Sequence, residues 1–184
     1  MTTAPSSETE RIPILVLGLG NVLCGDDGAG VAAVHRLRQR YAIPERVRVV
    51  DGGTLGLDLL ALIAASDRVI LVDAVRADGP PGTQVRITGD DVAPTVYERL
   101  SVHQIGVADV LAGAALCERY PAEVVILGIV PATTDLLLGC TPPVAAGLDE
   151  LVERIVAELA RLGVESPRRA STAPPDEGAR ALGL

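Results

Sequence analysis

Two adjacent aspartates, Asp26 and Asp27, sit within the glycine-rich stretch Gly18-Leu19-Gly20-Asn21-Val22-Leu23-Cys24-Gly25-Asp26-Asp27-Gly28-Ala29-Gly30. A glycine-rich turn from strand to helix ordinarily cradles a phosphate, because the helix N-terminus presents free N–H groups and a partial positive charge. Two fixed carboxylates at that place more than cancel the charge. The turn is built for a cation. Asp73, which closes the apolar run 69–72, and His103, in Ser101-Val102-His103-Gln104, are the other side chains that could join it. Two carboxylates and an imidazole make a mixed oxygen and nitrogen set. Such a set suits a divalent transition metal and leaves positions open for water or substrate.

Each of these residues also has a plainer reading. Aspartate is a favoured N-cap, so one of Asp26 and Asp27 is expected to start the following helix. The second then needs another explanation. Asp73 could be a turn residue at a strand end. Ser101-x-x-Gln104 is a capping box, which gives His103 a structural role. The same first turn lowers a histidine pKa through the helix dipole and keeps the lone pair free for a metal. His35 falls in an amphipathic segment and reads as surface. Asp51, before Gly52-Gly53, reads as turn chemistry, and Arg76 as part of a solvated loop. Nothing specific supports Cys24 as a nucleophile paired with His103.

The elements that must position these groups alternate along the chain. The apolar runs at 12–17, 47–50, 69–72 and 124–130 read as parallel strands buried on both faces. At 83–88, Val85 and Ile87 alternate with polar residues, as in an edge strand, for which an antiparallel direction is open. Helical patterns cover 27 or 28 to 41, about 55–65, and 102 or 103 to about 120. A final helix starts at Thr141-Pro142-Pro143, an N-cap followed by proline in the first turn, and ends at Gly163. Its stripe is Val144, Leu148, Leu151, Ile155, Leu159 and Leu162. The alternation predicts a three-layer α/β/α sandwich around a mostly parallel, twisted five-stranded sheet. With strand order 2-1-3, Asp26, Asp27 and Asp73 meet over one crevice at the carboxyl ends of the strands. One domain is expected over 11–165, with disordered tails at 1–10 and 166–184.

The bulk properties of the 184 residues exclude several classes of function. Net charge is −8, and aromatic residues are three Tyr with no Phe or Trp, so phosphate neutralisation and base stacking both lack their residues. No nucleic-acid partner is expected. Cys24, Cys117 and Cys140 stand singly and form neither a disulfide framework nor a structural zinc site. No signal peptide and no apolar run of membrane length is read, so a cytoplasmic monomer with no membrane partner is expected.

Five segments in series resemble one family. They are Gly18-x-Gly20-Asn21-x-Leu23-x-x-Asp26-Asp27-Gly28-x-Gly30, Asp51-Gly52-Gly53-Thr54, Leu71-Val72-Asp73-Ala74, Ser101-x-His103-Gln104-x-Gly106, and Leu127-Gly128-Ile129-x-Pro131 followed by Leu138-Gly139-x-Thr141-Pro142-x-Val144. The family is that of the hydrogenase maturation proteases, and the likeness runs from about residue 12 to 162. It implies an endopeptidase that removes a C-terminal extension from the precursor of a [NiFe]-hydrogenase large subunit after nickel insertion. It also implies that Asp27, Asp73 and His103 contact the metal and carry the reaction, with nickel arriving on the substrate. The first of these positions is Glu in some members and Asp in others. Either a carboxylate or the metal could activate water, and the residues leave both open. HExxH, GxSxG and the Asp-Thr/Ser-Gly signature are absent.

Two other readings compete. A dinucleotide-binding domain would use Gly18-x-Gly20 as its turn and Asp51 as ribose acceptor, but Leu23 occupies the third glycine position and the aspartates repel a pyrophosphate. A nickel-dependent binding protein without hydrolysis would keep all the same ligands.

Overall fold

In the computed structural model, which describes residues 11–98 and 105–170, the aliphatic runs form the central strands. The sheet contains β1 (Ile12–Leu19), β2 (Val47–Gly53), β3 (Ser66–Ala74), β4 (Gln84–Thr88) and β5 (Glu123–Ile129), in the order β2-β1-β3-β5-β4. Four strands are parallel, and β4 pairs antiparallel with β5 at the edge. The period-two alternation at Val85 and Ile87 belongs to that half-exposed edge, as expected of a strand wetted on one side.

Successive side chains of a strand point to opposite faces, so each central strand feeds two cores. Val16, Ile70, Val72 and Leu127 face α1 (Ala29–Arg40) and α5 (Pro142–Arg161). Leu15, Leu17, Leu71 and Ile126 face the other layer, with α2 (Leu60–Ala64), α3 (Val92–Glu98) and α4 (Ile105–Leu116). Each fully buried leucine contributes about 1.5–3 kcal/mol relative to exposure. The expected stripes are buried except at Leu162, which is only partly so. Val34, Leu37 and Tyr41 share one core with Val144, Leu148, Leu151, Ile155 and Leu159, and Val31 is buried as well.

Three features depart from the sequence pattern. The first is α3, preceded by a 3-10 turn at Gly89–Asp91, in a stretch with no assigned element. Seven residues are too few to draw a helical stripe. The second is residues 166–170, expected to belong to a disordered tail. They dock instead on Tyr41: Arg168 stacks over the ring and pairs with Glu153, Ala42 N–H donates to the Pro167 carbonyl at 2.9 Å, and Ser166 is buried. Arginine stacking and backbone pairing are invisible to a test for apolar periodicity. The third is Thr141. It occupies the N-cap position in extended conformation, yet its side chain makes no capping bond. The expected tails at 1–10 and 171–184 lie outside the described residues.

Candidate active site

The carboxyl ends of β1 and β3 sit side by side at the centre of the sheet, where neighbouring strands send their connections to opposite faces. The chain leaves β1 through Gly20, at φ +114°, where a Cβ would lie 1.7 Å from the Asp27 carbonyl oxygen. It then turns through a 3-10 segment, Gly25–Gly28, into α1. Gly30 lets that helix press against the sheet, since a Cβ there would fall 2.0 Å from the Val72 carbonyl oxygen. Asp27 is thereby brought beside Asp73, the residue after Val72. Glycine is required at both places for that approach.

Asp26, Asp27 and Asp73 are all 0% exposed, and the turn separates the first two by role. Asp26 is tied into the protein. Its oxygens accept the backbone N–H of Ala132 at 2.8 Å and of Thr141 at 2.7 Å, and the Thr141 hydroxyl at 2.8 and 3.0 Å. Asp27 accepts the Asn21 N–H through Oδ2 at 2.7 Å, while its Oδ1 is buried with no hydrogen-bond partner among the described residues. Neither aspartate caps α1, whose N-cap position is Gly28 with no side-chain bond. The expectation of a capping aspartate is thus corrected: Asp26 reaches away from the helix, to the segment 132–141.

Asp73 accepts the N–H of Ala74 through Oδ1 at 2.7 Å. Burial holds its carboxyl well above the ordinary carboxylate range, and the nearby Asp27 charge adds to the shift against the lowering effect of that hydrogen bond. Like charges buried together repel, and a cation or a proton beside them relieves the repulsion. An acceptor buried without a donor, as at Asp27 Oδ1, costs about 1–3 kcal/mol. A ligand that supplies positive charge offsets that cost. Among the described residues no group of three or more His, Cys, Asp or Glu side chains is arranged to hold a metal. The third expected donor, His103, lies outside the described residues, as does the Ser101–Gln104 capping box.

The remaining candidates are placed by their partners. Asp51 accepts the Gly53 N–H at 3.1 Å, which is turn chemistry, and its other oxygen lies 2.8 Å from His35 Nε2 on the surface. Cys24 is half-buried at the start of the turn, in a parallel bridge with Leu137. Arg76 is exposed beyond β3. A phosphate cradle does not fit: the Asn21 N–H, at the place where an anion would sit, already donates to Asp27. Sequence reasoning missed Thr141 as a partner of Asp26. No local signal could have found it, because the two lie 115 positions apart.

No described helix is long and apolar enough to cross a membrane. A sequence profile described as hydrogenase maturation protease, HycI, matches residues 31–158. The hydrogenase 2 maturation protease of Escherichia coli strain K12 is 38% identical over 159 residues, covering 85% of this chain and 97% of that protein. HoxM, a hydrogenase expression/formation protein of Azotobacter vinelandii, is 39% identical over 159 residues, covering 85% and 76%. The fold superposes on the hydrogenase maturating endopeptidase HybD from E. coli with a TM-score of 0.81 at 37% identity, covering 85% of this chain and 98% of that one. HybD from Thermococcus kodakarensis, a [NiFe] hydrogenase maturation protease, gives 0.66 at 32% identity, covering 80% and 99%. With its sheet order, its paired carboxylates and these relatives, the chain belongs to the hydrogenase maturation proteases and is an endopeptidase.

Proposed function

We propose that this endopeptidase removes the C-terminal extension from the precursor of a [NiFe]-hydrogenase large subunit after nickel has been inserted, and that Asp27, Asp73 and His103 recognise the nickel carried by that substrate. The observation that carries the reading is the pairing of two fully buried carboxylates at the carboxyl ends of β1 and β3, one with an oxygen that has no donor among the described residues. Buried carboxylates of like charge are costly unless a cation is part of the working state. A metal already held by substrate thiolates keeps positions that carboxylate and imidazole ligands can fill. Docking then depends on metal loading, and cleavage is confined to precursors that have received it.

Asn21 N–H orients the Asp27 carboxylate through Oδ2, and Oδ1, with no partner among the described residues, is the atom we assign to the ligand. Ala74 N–H fixes one oxygen of Asp73. Burial holds the Asp73 carboxyl above its ordinary range, and positive charge brought beside it favours its ionised form. The substrate metal supplies Lewis acidity toward the scissile carbonyl or toward water. Purified precursor mixed with this chain and followed by intact mass tests the proposal. Loss of the mass of a C-terminal peptide supports it, and an unchanged precursor contradicts it.

A further inference from the structure

The turn that carries Asp27 also carries an apolar surface that no part of the described chain covers. Val22 and Leu23 are 52% and 51% exposed at its start, and Leu136 and Leu138 are 86% and 81% exposed across from them. These side chains belong to one backbone unit. Leu137 N–H donates to the Leu23 carbonyl at 3.0 Å, and Gly25 N–H donates to the Leu137 carbonyl at 2.8 Å. Asp26, next to Asp27, fastens both ends of the same loop through Ala132 and Thr141. The loop is therefore fixed to the active-site turn rather than merely near it.

We infer that the arm formed by residues 131–140, with Val22 and Leu23, is the surface that docks an aliphatic segment of the precursor beside the bond to be cut. The inference rests on the proposed function. Three observations select this occupant. The active site of an endopeptidase is a contact surface with polypeptide, and the patch is continuous with it through the bonds to Leu23 and Gly25. The patch carries little charge: Asp135 is the one charged residue in 131–140, 20–25 has none, and Arg36 lines the adjoining cavity with Val22, Gly139 and Cys140, so an aliphatic complement is favoured. Solvent-facing leucines grouped on one loop of an otherwise acidic chain mark a contact site.

The test compares the full chain with its Leu136→Ser/Leu138→Ser variant and with Leu116→Ser. Leu116 is equally exposed, at 87%, but lies on another element, at the end of α4. Precursor concentration is varied and product is followed by intact mass. The double variant should show a KM raised about tenfold with kcat kept within about twofold, because uniform binding is lost and the chemistry is untouched. Leu116→Ser should match the parent, and Leu138→Gln alone should shift KM in the same direction by less. An unchanged KM in the double variant, or an equal rise in Leu116→Ser, overturns the inference. So does a parent dimer that the double variant dissolves, or parent binding to lipid vesicles that the double variant loses, since either gives the patch another occupant. A parent that leaves the precursor uncut overturns the proposed function as well, which a parent that cuts normally does not.

Discussion

The carboxylate of Asp26 accepts both the backbone N–H of Thr141, at 2.7 Å, and its hydroxyl, at 2.8 Å, joining the turn after β1 to the start of α5. This bond explains why two aspartates stand together. One holds the frame of the turn, and the other keeps an oxygen with no hydrogen-bond partner among the described residues. It also explains why the Thr141 hydroxyl does not cap its own helix. Donation to the Asp26 carboxylate fixes the rotamer of a hydroxyl that, as a cap, would have to accept from the N–H groups of the first turn.

Replacing Asp26 with Ala strands the N–H groups of Ala132 and Thr141. The variant should lose about 2–4 kcal/mol of stability, or roughly 5–15 °C in unfolding midpoint for a chain of this size. Thermal unfolding followed by circular dichroism checks it. Asp27→Asn, which keeps the volume and an acceptor for Asn21, should stay within about 1 kcal/mol of the parent.

Asp27→Asn and His103→Gln should each reduce precursor processing by at least about a hundredfold while the fold is retained, as expected where a ligand to the reacting centre is removed. Endpoint mass spectrometry at equal enzyme concentration measures this. Near-parental rates in both variants would place the chemistry elsewhere.

Asp73→Asn should separate activity from stability. The folded carboxyl sits above its ordinary range, so its ionisation opposes folding. The sign follows: its contribution to stability is fully present below the unfolded value and is lost as pH rises through the folded one. Asn has no ionisation to suffer and keeps an acceptor for Ala74 N–H. Asp73→Asn should unfold at a higher temperature than the parent at pH 7 to 8, with the gap narrowing toward pH 4, and should not process precursor. A lower midpoint at pH 8 would contradict this account of the pair.

Glu158 works in the opposite direction. It is 5% exposed, and burial pushes its carboxyl up, but hydrogen bonds from Arg86 (2.9 and 3.1 Å) and Arg161 (2.6 Å) outweigh burial and leave it below the ordinary value. Its contribution is present above the unfolded value near about 4.3 and is lost as pH falls through the folded one. Glu158→Gln should cost about 1–3 kcal/mol at pH 7. The lower half is expected, because both arginines are partly solvated. The cost should shrink below about pH 4 in denaturant titrations run across pH.

The fold was legible because its signals are local. Buried parallel strands read as unbroken aliphatic runs, as at 12–17 and 69–72, and the single alternating strand, Gln84–Thr88, is the antiparallel edge. The pairing of Asp27 with Asp73 followed from the strand order and the rule that sites lie at strand carboxyl ends. The division of labour between Asp26 and Asp27 was not legible. It depends on the contacts of Asp26 with Ala132 and Thr141, which join residues 106 and 115 positions apart. The short α3 and the docking of Arg168 on Tyr41 escaped for a related reason, since neither draws a periodic apolar pattern.

The central claim is that the buried carboxylate pair reads a metal carried by the substrate. Nickel-loaded and nickel-free precursor, each incubated with the full chain and followed by intact mass, test it most directly. The account predicts loss of the C-terminal peptide from the loaded precursor alone. Equal cleavage of both forms would contradict it.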